Sequence, residues 1–252
     1  MNIAVVTGAS SGMGREFVRY LDQHTQLDEI WVIARREDRL QELKAVCRTA
    51  VRPIPLDLLE DASVSAYRTM LESFRPQVQL LINAAGFGLF GTFAEMDLDT
   101  QLNSIRLNAG ALTAMCHISI PYMAPGSTIV NLASNSSWQP VPYINVYGAS
   151  KSYVMSFSRA LGVELKSHRI HVMAVAPGWI KTEFFDHAIH DDTISYFDRF
   201  YTPEQVVFKA MKDLRKSKTV SILGFPVRMQ VLAVKFLPVS LIMKIWCRQQ
   251  GK

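Results

Sequence analysis

The sequence predicts an α/β fold: a single doubly wound parallel sheet of about seven strands, helices on both faces, and a helical extension at the C-terminal end. Three observations predict it. Short apolar runs alternate with longer segments of helical period, the pattern of a parallel sheet with crossover helices. A glycine-rich turn joins the first apolar run to the first periodic segment. The polar residues suited to chemistry fall just after strand ends, where ligands bind in such sheets. The chain has 252 residues, is 49% hydrophobic and 19% charged, and so can bury a sizeable core.

The first strand is read at Ile3-Ala4-Val5-Val6-Thr7, followed by Gly8-Ala9-Ser10-Ser11-Gly12-Met13-Gly14 and a periodic segment carrying Phe17, Val18, Tyr20 and Leu21. Glycines let the backbone approach a pyrophosphate, and the helix start offers free N–H groups and a positive dipole end. The second strand is Ile30 to Ala34. Sites for NAD place an acid near this strand end to hold the ribose 2′-hydroxyl, whereas an Arg suits a 2′-phosphate. Here Ala34 takes the acid's position and Arg35 and Arg36 follow. A helix start disfavours cations, so a phosphate role is preferred for at least Arg35.

Strands are further expected at Val51 to Leu56, ending in Asp57-Leu58, and at Leu80-Leu81-Ile82, ending in Asn83-Ala84-Ala85-Gly86. Others are expected at Ser127 to Leu132 and at Ile170 to Ala176, the latter running into Pro177-Gly178, and a seventh at Thr219 to Leu223. Helices are expected at 61–75, at about 98–121 with Asn108 inside, and from Tyr147 to about Lys166. Tyr147 and Lys151 are four apart and share one helix face. A nearby cation lowers a phenol's pKa and makes it a better proton carrier.

Three cysteines with no CxxC pair suggest neither a disulfide framework nor a zinc site. The chain opens directly on a strand pattern, without the features of a signal peptide. No apolar run is long and uncharged enough to span a membrane. The expected location is cytoplasmic. From Lys209 to Lys252 there are ten Lys or Arg against Asp213 alone, a balance of +9, while the whole chain carries +5. The preceding body is therefore at −4, which argues against a body-wide nucleic-acid surface.

Together these pieces resemble the classical short-chain dehydrogenase/reductase family, in its NADP-preferring subset. The resemblance rests on Thr7 to Gly14, Asn83 to Gly86, Asn108, Ser134, Tyr147-x-x-x-Lys151 and Pro177-Gly178-Trp179-Ile180-Lys181-Thr182, all in order. Ser134 lies thirteen residues before Tyr147, a spacing common in that family. It covers about residues 2–182, more loosely to 224, and departs mildly at Ile82, where many relatives carry Asn.

The resemblance implies a Rossmann-type fold and NADP(H)-dependent oxidoreduction at CH–OH or carbonyl groups, without a metal. Tyr147 would exchange the proton, Ser134 would bond the substrate oxygen, Lys151 would lower the Tyr147 pKa and hold the nicotinamide ribose, and Asn108 would anchor a water behind Lys151. Gly8, Ser10, Ser11, Gly12, Met13 and Gly14 would surround the adenosine and pyrophosphate, with Arg35 and Arg36 at the 2′-phosphate. Asp57 and Leu58 would face the adenine. Asn83, Ala84, Ala85 and Gly86 would pass under the ribose, and Pro177, Gly178, Ile180 and Thr182 would hold the nicotinamide end. A homodimer or homotetramer, assembled through the two long helices, is expected.

Three segments are expected to line a substrate pocket: Phe87 to Phe90, Trp138 to Tyr143, and a lid over 179–202. The lid carries Phe184, Phe185, Ile189, Ile194, Tyr196, Phe197, Phe200 and Tyr201. That favours an apolar carbonyl or alcohol substrate, although packing of the lid on the body explains the same aromatics. His187 and His190 among Asp186, Asp191 and Asp192 are read as a solvated loop. The catalytic domain is assigned to 1–224, and 225–252 to a basic extension packed on it. Residues 226–250 read as two amphipathic helices broken at Pro238, covering the pocket mouth, with peripheral membrane contact as the second option. A non-catalytic NADP(H)-binding protein is the competing class; its usual sign, loss of the Tyr or Lys, is missing.

Overall fold

The computed structural model describes every residue except 189–192, 195 and 196, together with the side chains of Asp186 and His187. Ile189, Tyr196, His187, His190, Asp191 and Asp192 of the expected lid therefore fall, wholly or in their side chains, outside the described residues.

Strand β1 (Asn2–Thr7) leads through the glycine turn into α1 (Gly12–His24). β2 (Glu29–Ala34), α2 (Glu37–Val46), β3 (Ala50–Pro55), α3 (Asp61–Phe74) and β4 (Gln77–Asn83) continue the alternation. The chain then forms α4 (Leu98–Ile105), a π-helical turn at Arg106–Ala111 and α5 (Leu112–Ser119). β5 (Thr128–Leu132), α6 (Asn145–Glu164) and β6 (His171–Val175) complete the central part. The remainder comprises β7 (Trp179–Ile180), α7 (Phe184–Ala188), β8 (Phe200–Tyr201), α8 (Pro203–Leu214), β9 (Val220–Ser221), α9 (Phe225–Val234) and α10 (Val239–Gln249).

Seven strands pair in the order β3-β2-β1-β4-β5-β6-β9, every neighbour parallel. Both faces of the sheet are covered, which is why its strands are continuous apolar runs. Alternate β1 residues feed two separate cores. Ile3 and Val5 pack with Tyr67 and Leu71 of α3, Met115 of α5 and Val154 of α6. Ala4 and Val6 pack with Phe17 and Leu21 of α1, Leu40 of α2 and Val207 of α8. The strand order reverses between β1 and β4, and the crevice at such a switch point is where these sheets bind ligands.

The structure extends or corrects the expectations locally. β4 begins at Gln77, which pairs with Asn2, and Gln79 falls at a register shift between the Ile3–Val78 and Ala4–Leu80 pairs, so both polar residues interrupt the apolar run. The helix expected over 98–121 carries a π-turn around Asn108, a feature with no side-chain period to betray it. β7 and β8 form a second, two-stranded sheet within the lid, too short for any periodicity. α9 is not cleanly amphipathic: Val227 and Val231 are buried, but Phe225, Met229 and Leu232 face outward.

Candidate active site

A cleft of about 1060 Å³ runs from the glycine turn to the C-terminal helices. It is lined at one end by Gly8, Ser10, Ser11, Gly12, Met13 and Gly14, and at the other by Tyr147, Val141, Phe184, Phe185, Trp179 and Trp246. Of the expected cofactor residues, Arg35, Arg36, Asp57, Leu58, Ala84, Ala85, Gly86, Lys151, Pro177, Gly178, Ile180 and Thr182 also line it.

The glycine turn is built for close approach. Gly8 has φ of +68°, and a Cβ there would come within 2.8 Å of the Ala84 and Ala85 backbone. The Thr7 hydroxyl accepts from the amides of Ala84 and Ala85, at 3.1 Å each, tying the end of β1 to the loop after β4. Ser11 supplies no side-chain cap to α1, so side chains do not occupy that helix start, whose residues line the cleft. The free N–H groups of such a turn are anion donors.

Arg36, rather than Arg35, is built into this end. Its guanidinium donates to Ser10 Oγ at 3.0 Å, Ser11 Oγ at 2.8 Å and Glu183 Oε2 at 2.8 Å. Arg35 is 72% exposed and lies 3.8 Å from Asp57. Arg39, one turn along α2, donates to Glu183 Oε1 at 2.5 Å. The Arg36 and Arg39 hydrogen bonds hold the Glu183 carboxyl below its usual range. Sequence reasoning missed Arg39 and Glu183; the signal for Arg39 was its i+3 spacing from Arg36.

Two expected residues stand back from the cleft. Asn83 is 2% exposed and its amide donates to Asn131 Oδ1 at 2.9 Å, so its side chain belongs to the interior. The physical reason is strand parity: Asn83 ends β4 pointing between the strands and α5, where Cys116 also meets it. Asn108 is fully buried. Its amide donates to Phe87 O at 2.8 Å and Ser150 Oγ at 3.0 Å, and its Oδ1 accepts from Phe87 N at 3.0 Å. It thereby clips the loop after β4 to α6.

Tyr147 and Lys151 share one face of α6, with the Lys151 ammonium 5.6 Å from the Tyr147 ring centre. Lys151 is 5% exposed and donates to Leu132 O at 2.8 Å. Burial pulls its pKa down to about 8. Burial also pushes the Tyr147 phenol up to about 12, against a smaller lowering from its hydrogen bond with Ser134. The cost of burying a phenolate is thus the larger effect on Tyr147. Ser134 caps a short helical turn at 135–138 and accepts from Ser136 N at 3.2 Å. Opposite, Gly88 carries no side chain because a Cβ there would come within 2.6 Å of the Tyr147 ring.

The apolar end is aromatic. Phe90, Trp179, Phe184, Phe185 and Phe197 pack edge-on or tilted, and Tyr147 meets Phe184 at 5.4 Å between centroids. Trp246 of α10 stacks on Trp179 and donates its Nε1–H to Pro142 O at 3.0 Å. The C-terminal helices therefore form a wall of the cleft, with Gln230, Val234, Leu237, Ile242 and Ile245 also lining it.

Kinship tells what such a cleft does. Residues 2–193 match the short chain dehydrogenase family profile. Sulfoacetaldehyde reductase 2 of Chromohalobacter salexigens is 35% identical over 193 residues, covering 73% of this chain and 74% of that protein. Hydroxysteroid dehydrogenase-like protein 1 of Gallus gallus is 30% identical, covering 85% and 66%. The structure of a short-chain dehydrogenase from Sphingobium yanoikuyae in complex with NADPH superposes with a TM-score of 0.79, at 26% identity and 92% coverage of each chain. Fold and kinship together define an oxidoreductase that uses a nicotinamide cofactor and acts on CH–OH or carbonyl groups. The chain belongs to the short-chain dehydrogenase/reductase family. Among the described residues, no helix is long and apolar enough to cross a membrane.

Proposed function

We propose that the protein is an NADPH-dependent reductase that converts the ketone or aldehyde of an apolar substrate to an alcohol, reversibly. The observation that carries this reading is the group of half-buried Tyr147 with buried Ser134 and Lys151, set between the glycine turn and an aromatic chamber in one cleft. A nicotinamide cofactor, when bound, supplies the hydride. Tyr147, kept protonated by burial, donates the proton to the substrate oxygen as it gains alkoxide character. The Ser134 hydroxyl bonds the same oxygen. Lys151 holds the nicotinamide ribose and places a positive charge behind Tyr147. Asn108 acts as a positioning residue, fixing the Phe87 backbone beside Tyr147, and would anchor a water behind Lys151.

The residues present suit a phosphorylated dinucleotide. The first turn of α1 has no side-chain cap, and Gly8, Gly12 and Gly14 leave room for a pyrophosphate. Arg36, with Arg35 and Arg39 beside it, supports preference for a 2′-phosphate, since guanidinium forks match phosphate oxygens. Relatives are named for an aldehyde and for hydroxysteroids, and the aromatic chamber favours a substrate of the second kind of surface. Residues 1–224 are assigned to catalysis and 225–252 to closing the chamber, in a cytoplasmic homo-oligomer. Exposed Leu98, Leu102 and Ile105 on α4 and Tyr153 and Val163 on α6 support assembly through these helices.

The test is NADPH consumption against a panel of carbonyls of graded size, with Tyr147→Phe alongside. The variant should bind NADPH as the parent does and lose about a hundredfold or more in kcat. Near-normal turnover by the folded variant would remove the central role of Tyr147.

A further inference from the structure

The C-terminal helices also carry exposed residues that do not line the cleft, beside others that do. Phe236 is 81% exposed and Phe225 73%, and Met229, Leu232 and Leu241 stand out beside them. Soluble surfaces rarely keep such a patch without a partner. Residues 225–252 also hold five cations, Arg228, Lys235, Lys244, Arg248 and Lys252, and no acid. Among the described residues none of these five has a carboxylate partner, whereas Lys209 and Lys218, just upstream, are held by Asp213. Arg228, Lys244 and Arg248 lie on the same two helices as most of the exposed apolar groups, and Lys235 and Lys252 follow α9 and α10.

We propose that α9 and α10 dock the protein on the surface of an anionic lipid bilayer, with the mouth of the substrate chamber turned to the lipid. Apolar side chains interleaved with cations that have no carboxylate partner suit the acyl boundary and the anionic headgroups respectively, although Lys235 rests over Trp138, Lys252 over Tyr143, and Arg228 donates to Ile222 O. A second copy of the chain suits this face poorly. A two-fold contact would set the same five cations against themselves, with no acid to offset them. The exposed stripe on α4 and α6 gives a second copy another place to bind. Leu237 and Ile245 both line the cleft and remain 39% and 44% exposed, so the chamber opens on the docking face. An amphiphilic carbonyl compound dissolved in the bilayer then reaches Tyr147 without crossing water; this last step rests on the reductase reading.

Flotation of the full chain with phosphatidylcholine vesicles, with and without phosphatidylglycerol, tests the docking. The protein should rise with the anionic vesicles only, and added salt should release it. Each basic residue near the surface is worth roughly fivefold in partitioning. Lys244→Glu with Arg248→Glu should therefore weaken binding by more than about twentyfold. Phe225→Ser with Phe236→Ser should abolish flotation while leaving turnover of a small water-soluble carbonyl unchanged, since neither ring lines the cleft. Thermal melts check that both variants fold. No flotation, flotation that ignores phosphatidylglycerol, or a dimer dissolved by these substitutions in a chain that binds no vesicles overturns the proposal. Flotation needs no turnover, so a chain that floats but reduces no carbonyl counts against the reductase reading alone.

Discussion

Arg36 and Glu183, 147 residues apart in sequence, meet at 2.8 Å and join the end of β2 to the start of the lid. The same carboxylate holds Arg39. Glu183 thus neutralises the guanidinium groups that a 2′-phosphate would use, and it sits one residue after Thr182, near the start of the lid segment.

The first prediction follows from that competition. Glu183→Gln should tighten NADPH binding and leave NADH nearly unchanged. A half-exposed ion pair is worth about 1 kcal/mol or less, so the gain should be roughly fivefold. Arg36→Ala should act in the opposite sense and weaken NADPH selectively. Calorimetric titration of both cofactors gives the answer. Equal effects of Glu183→Gln on the two would separate Glu183 from phosphate recognition.

A second prediction concerns pH. Burial depresses Lys151 to about 8 and lifts Tyr147 to about 12. In the free enzyme the proton donor therefore stays protonated across the working range, while the ammonium is lost as pH rises through about 8. kcat/KM for carbonyl reduction, which reports the free enzyme, should be level below that pH and fall above it. Lys151→Gln should be low at every pH and show no such limb. A profile in the parent that stays flat past pH 10 would contradict the assignment.

Much of this site was legible because its residues lie at strand ends, where apolar periodicity breaks into Gly, Ser and Asn. Ser134 and the glycine turn had that signal, Tyr147 and Lys151 had the four-residue spacing of one helix face, and the structure gathers all of them into one cleft. The sheet was legible for the same reason. What could not be read depends on contacts between distant segments. The Arg36–Glu183 pair joins positions with no local relation. Gly88 matters only because the Tyr147 ring rests against it. Arg35 and Arg36 are equivalent in sequence, and only the path of the backbone into α2 aims Arg36 at Ser10 and Ser11. Residue type alone did not show which side of β4 the Asn83 side chain serves, and strand parity turns it to Asn131 and Cys116.

A third prediction concerns stability. Asp213 is 3% exposed in α8. It accepts from Ser221 Oγ of β9 at 2.8 Å and pairs with Lys209 and Lys218. Burial pushes its pKa up, but the hydrogen bonds from Lys209, Lys218 and Ser221 outweigh that and bring it from 3.8 to about 2. A folded value below the unfolded one means stability that is present above about pH 4 and lost as pH falls toward 2. The shift corresponds to about 2 kcal/mol. Asp213→Asn should cost about that much at neutral pH, and the difference from the parent should shrink as the pH is lowered through 3. Urea denaturation at several pH values measures both. A constant difference down to pH 2 would mean that the carboxylate's charge is not what ties α8 to β9.

The last prediction concerns the wall that the C-terminal extension gives the chamber. Trp246 is 9% exposed, stacks on Trp179 at 6.5 Å and bonds Pro142 O. It is the main buried anchor of α10, with Ile242 one turn before it. Truncating a buried Trp to Ala typically costs about 3–5 kcal/mol of packing. Here that loss falls on the last helix of the chain, away from the sheet. The glycine turn and Arg36 lie at the other end of the cleft, so the NADPH dissociation constant should be unchanged in Trp246→Ala. For a bulky apolar ketone, KM should rise about tenfold or more, as one large hydrophobic contact is worth roughly 1.5–3 kcal/mol. A small aldehyde that does not reach α10 should keep its KM. Removal of residues 225–252 should reproduce this split more strongly. If cofactor and ketone binding weaken together, α10 supports the whole domain, and its part in closing the substrate chamber is disproved.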